Sequence, residues 1–161
     1  MYSDQSAPGF GSIDVDFKVL HPVLEEHPPA YSTTGSAGFD LRACIDEETL
    51  TIPPGERRAI PTGIAIDIKS PSVAGFVYSR SGLGTKEGLT VSQGVGVIDP
   101  DYRGEIIVSL LNTSDQTRRL RRGQRIAQLV FQPVHQARLT KVTDLSETAR
   151  GAGGFGHTGK M

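Results

Sequence analysis

The chain has 161 residues, 37% hydrophobic and 22% charged, with a formal net charge of −1 at pH 7. That length supports one domain with a proper core, and the balanced charge excludes a global pull toward nucleic acid or an acidic membrane. No run approaches the ~18 apolar residues of a membrane span, and a single cysteine, Cys44, excludes an internal disulfide. Cys44 reads as a small buried hydrophobe, and the expected location is cytoplasmic. Nineteen glycines and ten prolines punctuate the chain closely and favour short strands and turns, so the expected class is all-β.

Residues 1–12 are polar, without a basic start or an apolar stretch, and are expected to be a disordered leader rather than a secretory signal. Residues 13–145 are expected to form the domain and residues 146–161 a flexible arm. From Ile13 to Val19 apolar and polar residues alternate without a fault, which predicts a half-buried antiparallel strand. His21 and His27 each precede a proline in a polar segment and read as loop residues, not metal ligands. Further strands are expected over residues 37–43, 50–52, 57–60, 63–68 and 74–78. The glycine-rich stretch 80–88, with Ser81 in an N-cap style, predicts one or two helical turns. Its backbone N–H groups and the Arg80 guanidinium suit an anion, although the spacing is not that of a Walker A loop, and a plain flexible loop is the alternative.

Residues 94–105 read as a strand entering and leaving a stiff turn, with Pro100 and Gly104 fixing it. Asp99 then stands at the rim of a rigid scaffold, or merely makes turn contacts in a surface hairpin. Residues 106–111 are almost continuously apolar and predict a strand buried on both faces. Arg118, Arg119, Arg121, Arg122 and Arg125 crowd one segment; solvated strand edges and partner-facing charges are preferred over nucleic-acid binding, because no aromatics interleave. Residues 126–131 predict a core strand, and residues 134–142 are assigned a strand by continuity with what precedes them. The last stretch holds five glycines among residues 150–160, yet carries Phe155 and two cations, which suits a mobile arm closing on a flat, charged ligand.

Five stretches, in order, carry a resemblance: Ala37-Gly38-Phe39-Asp40-Leu41, Arg80-Ser81-Gly82-Leu83-Gly84, Gly96-Val97-Ile98-Asp99-Pro100-Asp101-Tyr102-Arg103-Gly104, Arg122-Gly123-Gln124-Arg125-Ile126-Ala127-Gln128 and Arg150-Gly151-Ala152-Gly153-Gly154-Phe155-Gly156. Together they resemble the trimeric deoxyuridine triphosphatases (dUTPases) from Ile13 to the C-terminus. The resemblance implies a jelly-roll-like barrel, a homotrimer with shared active sites, and Mg²⁺-assisted hydrolysis of dUTP to dUMP and pyrophosphate. That activity limits uracil incorporation into DNA and supplies dUMP for dTMP synthesis. It implies that Asp99 is the general base, that Tyr102 lies under the deoxyribose, and that backbone at Gln93, Val97, Ile98 and Ile107 reads uracil. Arg80, Ser81 and Gly82 are implied to hold the α- and β-phosphates, with Gln128 nearby and Asp40 acting on Mg²⁺ through water. Arg150 is implied to meet the γ-phosphate and Phe155 to stack on uracil, with Gly156 letting the arm order. Many relatives carry Asn where Gln93 stands, which leaves the Gln93 side chain without an assigned role; His157 contacts phosphate or is a bystander. Two competing readings are a dCTP deaminase-like enzyme of the same fold and a non-catalytic nucleotide-binding regulatory trimer.

Overall fold

The computed structural model describes residues 11–154. Almost all of the expected leader, and Phe155, Gly156 and His157 of the arm, lie outside the described residues. The strands are β1 (Val15–Val19), β2 (Gly38–Arg42), β3 (Thr49–Ile52), β4 (Arg57–Ile68), β5 (Val73–Ser79), β6 (Leu89–Val91), β7 (Gly96–Ile98), β8 (Glu105–Asn112), β9 (Arg118–Arg121) and β10 (Arg125–Pro133). A single helical turn, α1 (Val23–Glu26), follows β1, and a π-turn (Leu83–Glu87) follows β5.

Two four-stranded antiparallel sheets, β1-β4-β8-β6 and β2-β10-β5-β7, make a jelly-roll-like barrel, with β3-β9 as a small third sheet. Period-2 patterning builds the core. Ile106, Val108 and Leu110 of β8 and Ile60, Ile64 and Ile66 of β4 are buried with Phe39, Leu41, Val77, Ala127 and Leu129 of the other sheet. Each such aliphatic side chain contributes about 1.5–3 kcal/mol when fully buried. Asn112 is fully buried in this core and fully satisfied: its Nδ2 donates to Ile52 O (2.8 Å) and Gln116 O (2.7 Å), and its Oδ1 accepts from Ser114. It therefore ties β8 to β3.

Four expectations need correction. The two strands expected over residues 57–60 and 63–68 are one strand, β4. It runs through Pro61 because its ladder with β8 shifts between Pro61 and Ala65, where Gly63 takes φ +67° and its freed N–H donates to Glu105 Oε1 at 2.7 Å. Residues 21–29 are not all loop: Pro22 starts α1, which buries Val23 and Leu24. β8 is fully buried on one face only; Ile107 on the other is 46% exposed among the described residues. No strand follows Pro133 among the described residues. After Val134 donates to Ser72 O the backbone has no ladder partner, and Leu139, Val142 and Leu145 stand exposed.

Candidate active site

The second sheet builds a cationic cleft. Its register sets Asp40 of β2 opposite Gln128 of β10, and Gln128 opposite Tyr78 of β5. Directly opposed residues share a face, and their neighbours Phe39, Leu41, Leu129 and Val77 turn into the core. Asp40 is the hub of the polar face. Arg80 Nε donates to its Oδ1 at 2.8 Å and Arg125 Nη1 to its Oδ2 at 3.1 Å. Arg42 is fixed by a 2.8 Å bond to Gly123 O. With Gly82, Leu83, Lys86, Glu87 and Gln124, the three arginines line a cleft of ≈ 440 Å³. Set against Asp40 and Glu87, the three arginines and Lys86 leave two positive charges.

The loop at the cleft's edge is helical from Ser81. Gly82 sits at φ −63°, ψ −43°, Gly84 N donates to Arg80 O (2.9 Å), and Gly88 at φ +69° ends the turn. The first N–H groups of such a turn have no acceptor within it and are available to an anion. The helical expectation for this stretch therefore holds, in the wider π form often found at functional positions.

A second cleft, of ≈ 230 Å³, is lined by Val97, Ile98, Asp99, Tyr102, Glu105, Ile106 and Ile107. It arises because β7 and β8 are not partners. β7 pairs only with β5, as the edge of one sheet, while β8 belongs to the other. On its β6 side, β8 is laddered only from Leu110 to Asn112. The expected hairpin is thus a corner between diverging sheets, and among the described residues β7 has no ladder partner on its side away from β5, nor β8 on its β6 side from Glu105 to Val108. At the corner, Tyr102 N donates to Asp99 O (3.0 Å) and Tyr102 Oη to Glu105 O (3.0 Å). The phenol folds over Gly104, where a Cβ would stand 2.4 Å from Tyr102 Oη. Asp99 is exposed, and no side-chain partner engages its carboxylate among the described residues. Gln93 spends its Oε1 on Ser92 Oγ (3.0 Å), which also meets Ser109 Oγ.

A family model described as dUTPase matches residues 25–159. The deoxyuridine 5'-triphosphate nucleotidohydrolase of Mannheimia succiniciproducens is 51% identical over 149 residues, covering 91% of this chain and 98% of its own length. The chain belongs to the dUTPase family. Among solved structures, a mutant dUTPase of Staphylococcus bacteriophage 80alpha with dUpNHpp superposes with a TM-score of 0.80 at 26% identity, covering 91% of this chain and 99% of its own. A mutant dUTPase of Staphylococcus aureus phage phi11, described as coordinating a structural Mg(II) ion, shares the fold with a TM-score of 0.73 at 22% identity, covering 83% of this chain and 99% of its own.

Set against the dUTPase motifs, Arg80 and Gly82 line the cationic cleft, while Val97, Ile98, Asp99, Tyr102 and Ile107 line the slot. The two clefts share no lining residue. Ser81 adjoins the first and Gln128 lies on its sheet face. Arg150 reaches neither; its Nε donates to Gly153 O (2.9 Å), closing its own turn. Arg42, Lys86, Gln124 and Arg125 are cleft residues missed by sequence reasoning. Arg125 was visible only as one of an arginine cluster. Arg118 holds Ser114, Arg122 holds Ile45 O and Arg125 holds Asp40, while Arg119, Arg121, Arg122 and Arg125 remain exposed, in keeping with a solvated strand edge. No group of three His, Cys, Asp or Glu suited to a metal occurs among the described residues.

Proposed function

We propose that this chain hydrolyses dUTP to dUMP and pyrophosphate, with water attacking the α-phosphorus. The observation that carries the reading is Asp99: an unpaired carboxylate on a braced corner, beside Tyr102, at the mouth of a slot with free strand edges. Backbone N–H and C=O groups at fixed spacing pair with uracil's carbonyls and N3–H, and mismatch cytosine's amino group. Tyr102 underlies the deoxyribose and leaves no room for a 2′-hydroxyl. Asp99 orients the water and takes its proton. Arg80, Ser81, Gly82 and Gln128 grip the phosphates, with Lys86 and Arg125 adding charge as the leaving pyrophosphate gains it.

Mg²⁺ arrives on the triphosphate, since it keeps several waters and is usually held by substrate phosphates. Asp40 has one lone pair on each oxygen engaged by arginine and others open to a metal-bound water. When bound, the ion neutralises phosphate charge; two residual positive charges in the cleft match the two negative charges of a magnesium nucleoside triphosphate.

We also propose a homotrimer. The slot and the cationic cleft are separate in one chain, Ile107 stands exposed on the outer face of β8, and the segment after Pro133 leaves the body with Leu139 and Leu145 exposed. Sharing of sites between subunits unites the two clefts, with Arg150 and Phe155 supplied by the arm. The mass in solution is then about three times 17.3 kDa.

The test is pyrophosphate release from dUTP, dCTP, dTTP and UTP with Mg²⁺. Release from dUTP alone is expected, with Asp99→Asn binding dUTP yet losing most turnover. Equal release from dCTP, ammonia release from dCTP, or near-normal turnover of Asp99→Asn refutes the respective claim.

A further inference from the structure

The corner that carries Asp99 is pinned by a group no motif role explains. Arg103 Nη1 donates to Pro100 O at 2.7 Å and to Tyr102 O at 3.1 Å. Its Nη2 meets Asp67 Oδ1 of β4 at 2.5 Å. One guanidinium therefore spans two carbonyls of the corner and a carboxylate of the sheet. A planar fork of five donors is the side chain able to do this; lysine, a point charge, is not.

The acidic end has its own logic. Asp67 lies directly opposite Asp16 in the β1–β4 register. Like charges directly opposed weaken a sheet. Lys69 bridges both carboxylates, at 2.7 Å to Asp16 and in close contact with Asp67. That is one cation for two carboxylates, and the second cation comes from the corner. Lys69's hydrogen bond first, then Arg103's charge, hold the Asp67 carboxyl below the ordinary carboxylate range. The anion thus remains available to Arg103.

We propose that Arg103 is a positioning residue, and that the chain of charges Asp16–Lys69–Asp67–Arg103 clamps the corner so that Asp99 and Tyr102 keep their places in the slot. The inference rests on the proposed dUTP hydrolysis for its kinetic consequence. All four side chains are partly exposed, so the clamp acts on geometry more than on stability. The corner is closed from inside by Tyr102 N to Asp99 O and braced from outside by the guanidinium. Without the brace the inner bond opens more often, and Asp99 spends less time aimed at the water. Small misplacements of a reacting group cost rate more than binding.

The experiment compares Arg103→Ala, Asp67→Asn and the double variant with the parent protein. Turnover of dUTP, KM, thermal midpoint and amide hydrogen exchange at Tyr102 are measured. Each single variant is expected to lose about tenfold in kcat with KM within about twofold. The double variant should lose no more than the worse single, because both break one link. The midpoint should stay within about 2 °C, while Tyr102 exchanges faster in Arg103→Ala. A kcat of Arg103→Ala within twofold of the parent, or losses that multiply in the double variant, overturns the clamp. If the parent does not hydrolyse dUTP, the proposed function falls and Tyr102 exchange alone decides. Unchanged exchange then overturns the clamp, and faster exchange supports it.

Discussion

Gly82→Ala separates a glycine needed by the fold from one needed by a ligand. Gly82 is right-handed helical at φ −63°, ψ −43°, and a Cβ built there meets no heavy atom within 4 Å. Nothing among the described residues demands glycine at this point. Alanine in a helical position is favoured over glycine by roughly 0.5–1 kcal/mol. For a domain of this size that raises the thermal midpoint by about 1–4 °C. The methyl projects into open space at the edge of the ≈ 440 Å³ cleft between Arg80 and Lys86. If phosphate oxygens sit against the Gly82 N–H, the methyl holds them off. Losing one charge-assisted bond of about 1.5–3 kcal/mol lowers kcat/KM for dUTP by about ten- to a hundredfold. Thermal unfolding by circular dichroism and a coupled pyrophosphate assay read the two effects separately. Higher stability with lower activity is expected. Unchanged activity refutes phosphate contact at Gly82, and lower stability refutes the reading of the loop.

Gly38→Ala is the converse case: its Cβ would stand 2.5 Å from Leu129 O and 2.7 Å from Val130 Cγ2. Prising β2 from β10 is expected to cost about 2–3 kcal/mol and 4–12 °C of midpoint, and a midpoint within 1 °C of the parent defeats the argument. Lys86→Ala removes the one cation of the cleft that has no partner among the described residues; the KM for dUTP should rise about three- to tenfold with dUMP affinity unchanged, and equal losses for dUMP place Lys86 elsewhere. Burial, then the Glu105 charge, push the Cys44 thiol up to about 11, so at pH 8 the folded protein should react with iodoacetamide at least about a hundredfold more slowly than the denatured chain. Rates within tenfold of each other would contradict the buried thiol.

Local chemistry was legible before topology was. The turn at Pro100, the helical turn after Arg80 and the core of β10 follow from residue types within a few positions of each other, whereas Gly104 takes no positive φ and is small because a Cβ there would meet Tyr102 Oη at 2.4 Å. The partnership of Asp40 with Arg125 does not, because the two are 85 residues apart and meet only when β2 lies beside β10. The bonds of Asp40 to two arginines therefore come into view only with the fold, beside its proposed role toward a metal-bound water. The pinning of Gly63 by Glu105 was hidden for the same reason, and with it the single long β4. Residues 134–142 failed differently. Their sequence suits a strand, but a strand needs a partner's N–H and C=O groups, and the described residues offer none there beyond Val134.

That failure and the half-covered β8 point the same way. The apolar run at residues 106–111 reads as buried on both faces, and the chain covers only one. Ile107 is part of the uncovered side and also lines the slot beside Asp99. Under the trimer proposal, a partner subunit that covers Ile107 alters the slot beside Asp99 directly, by removing water from around the carboxylate and strengthening each polar contact within it. Assembly and catalysis are coupled through one side chain under the trimer proposal. Dilution that dissociates the oligomer should abolish turnover rather than merely destabilise the fold. Turnover per chain that stays constant through dissociation would separate the two.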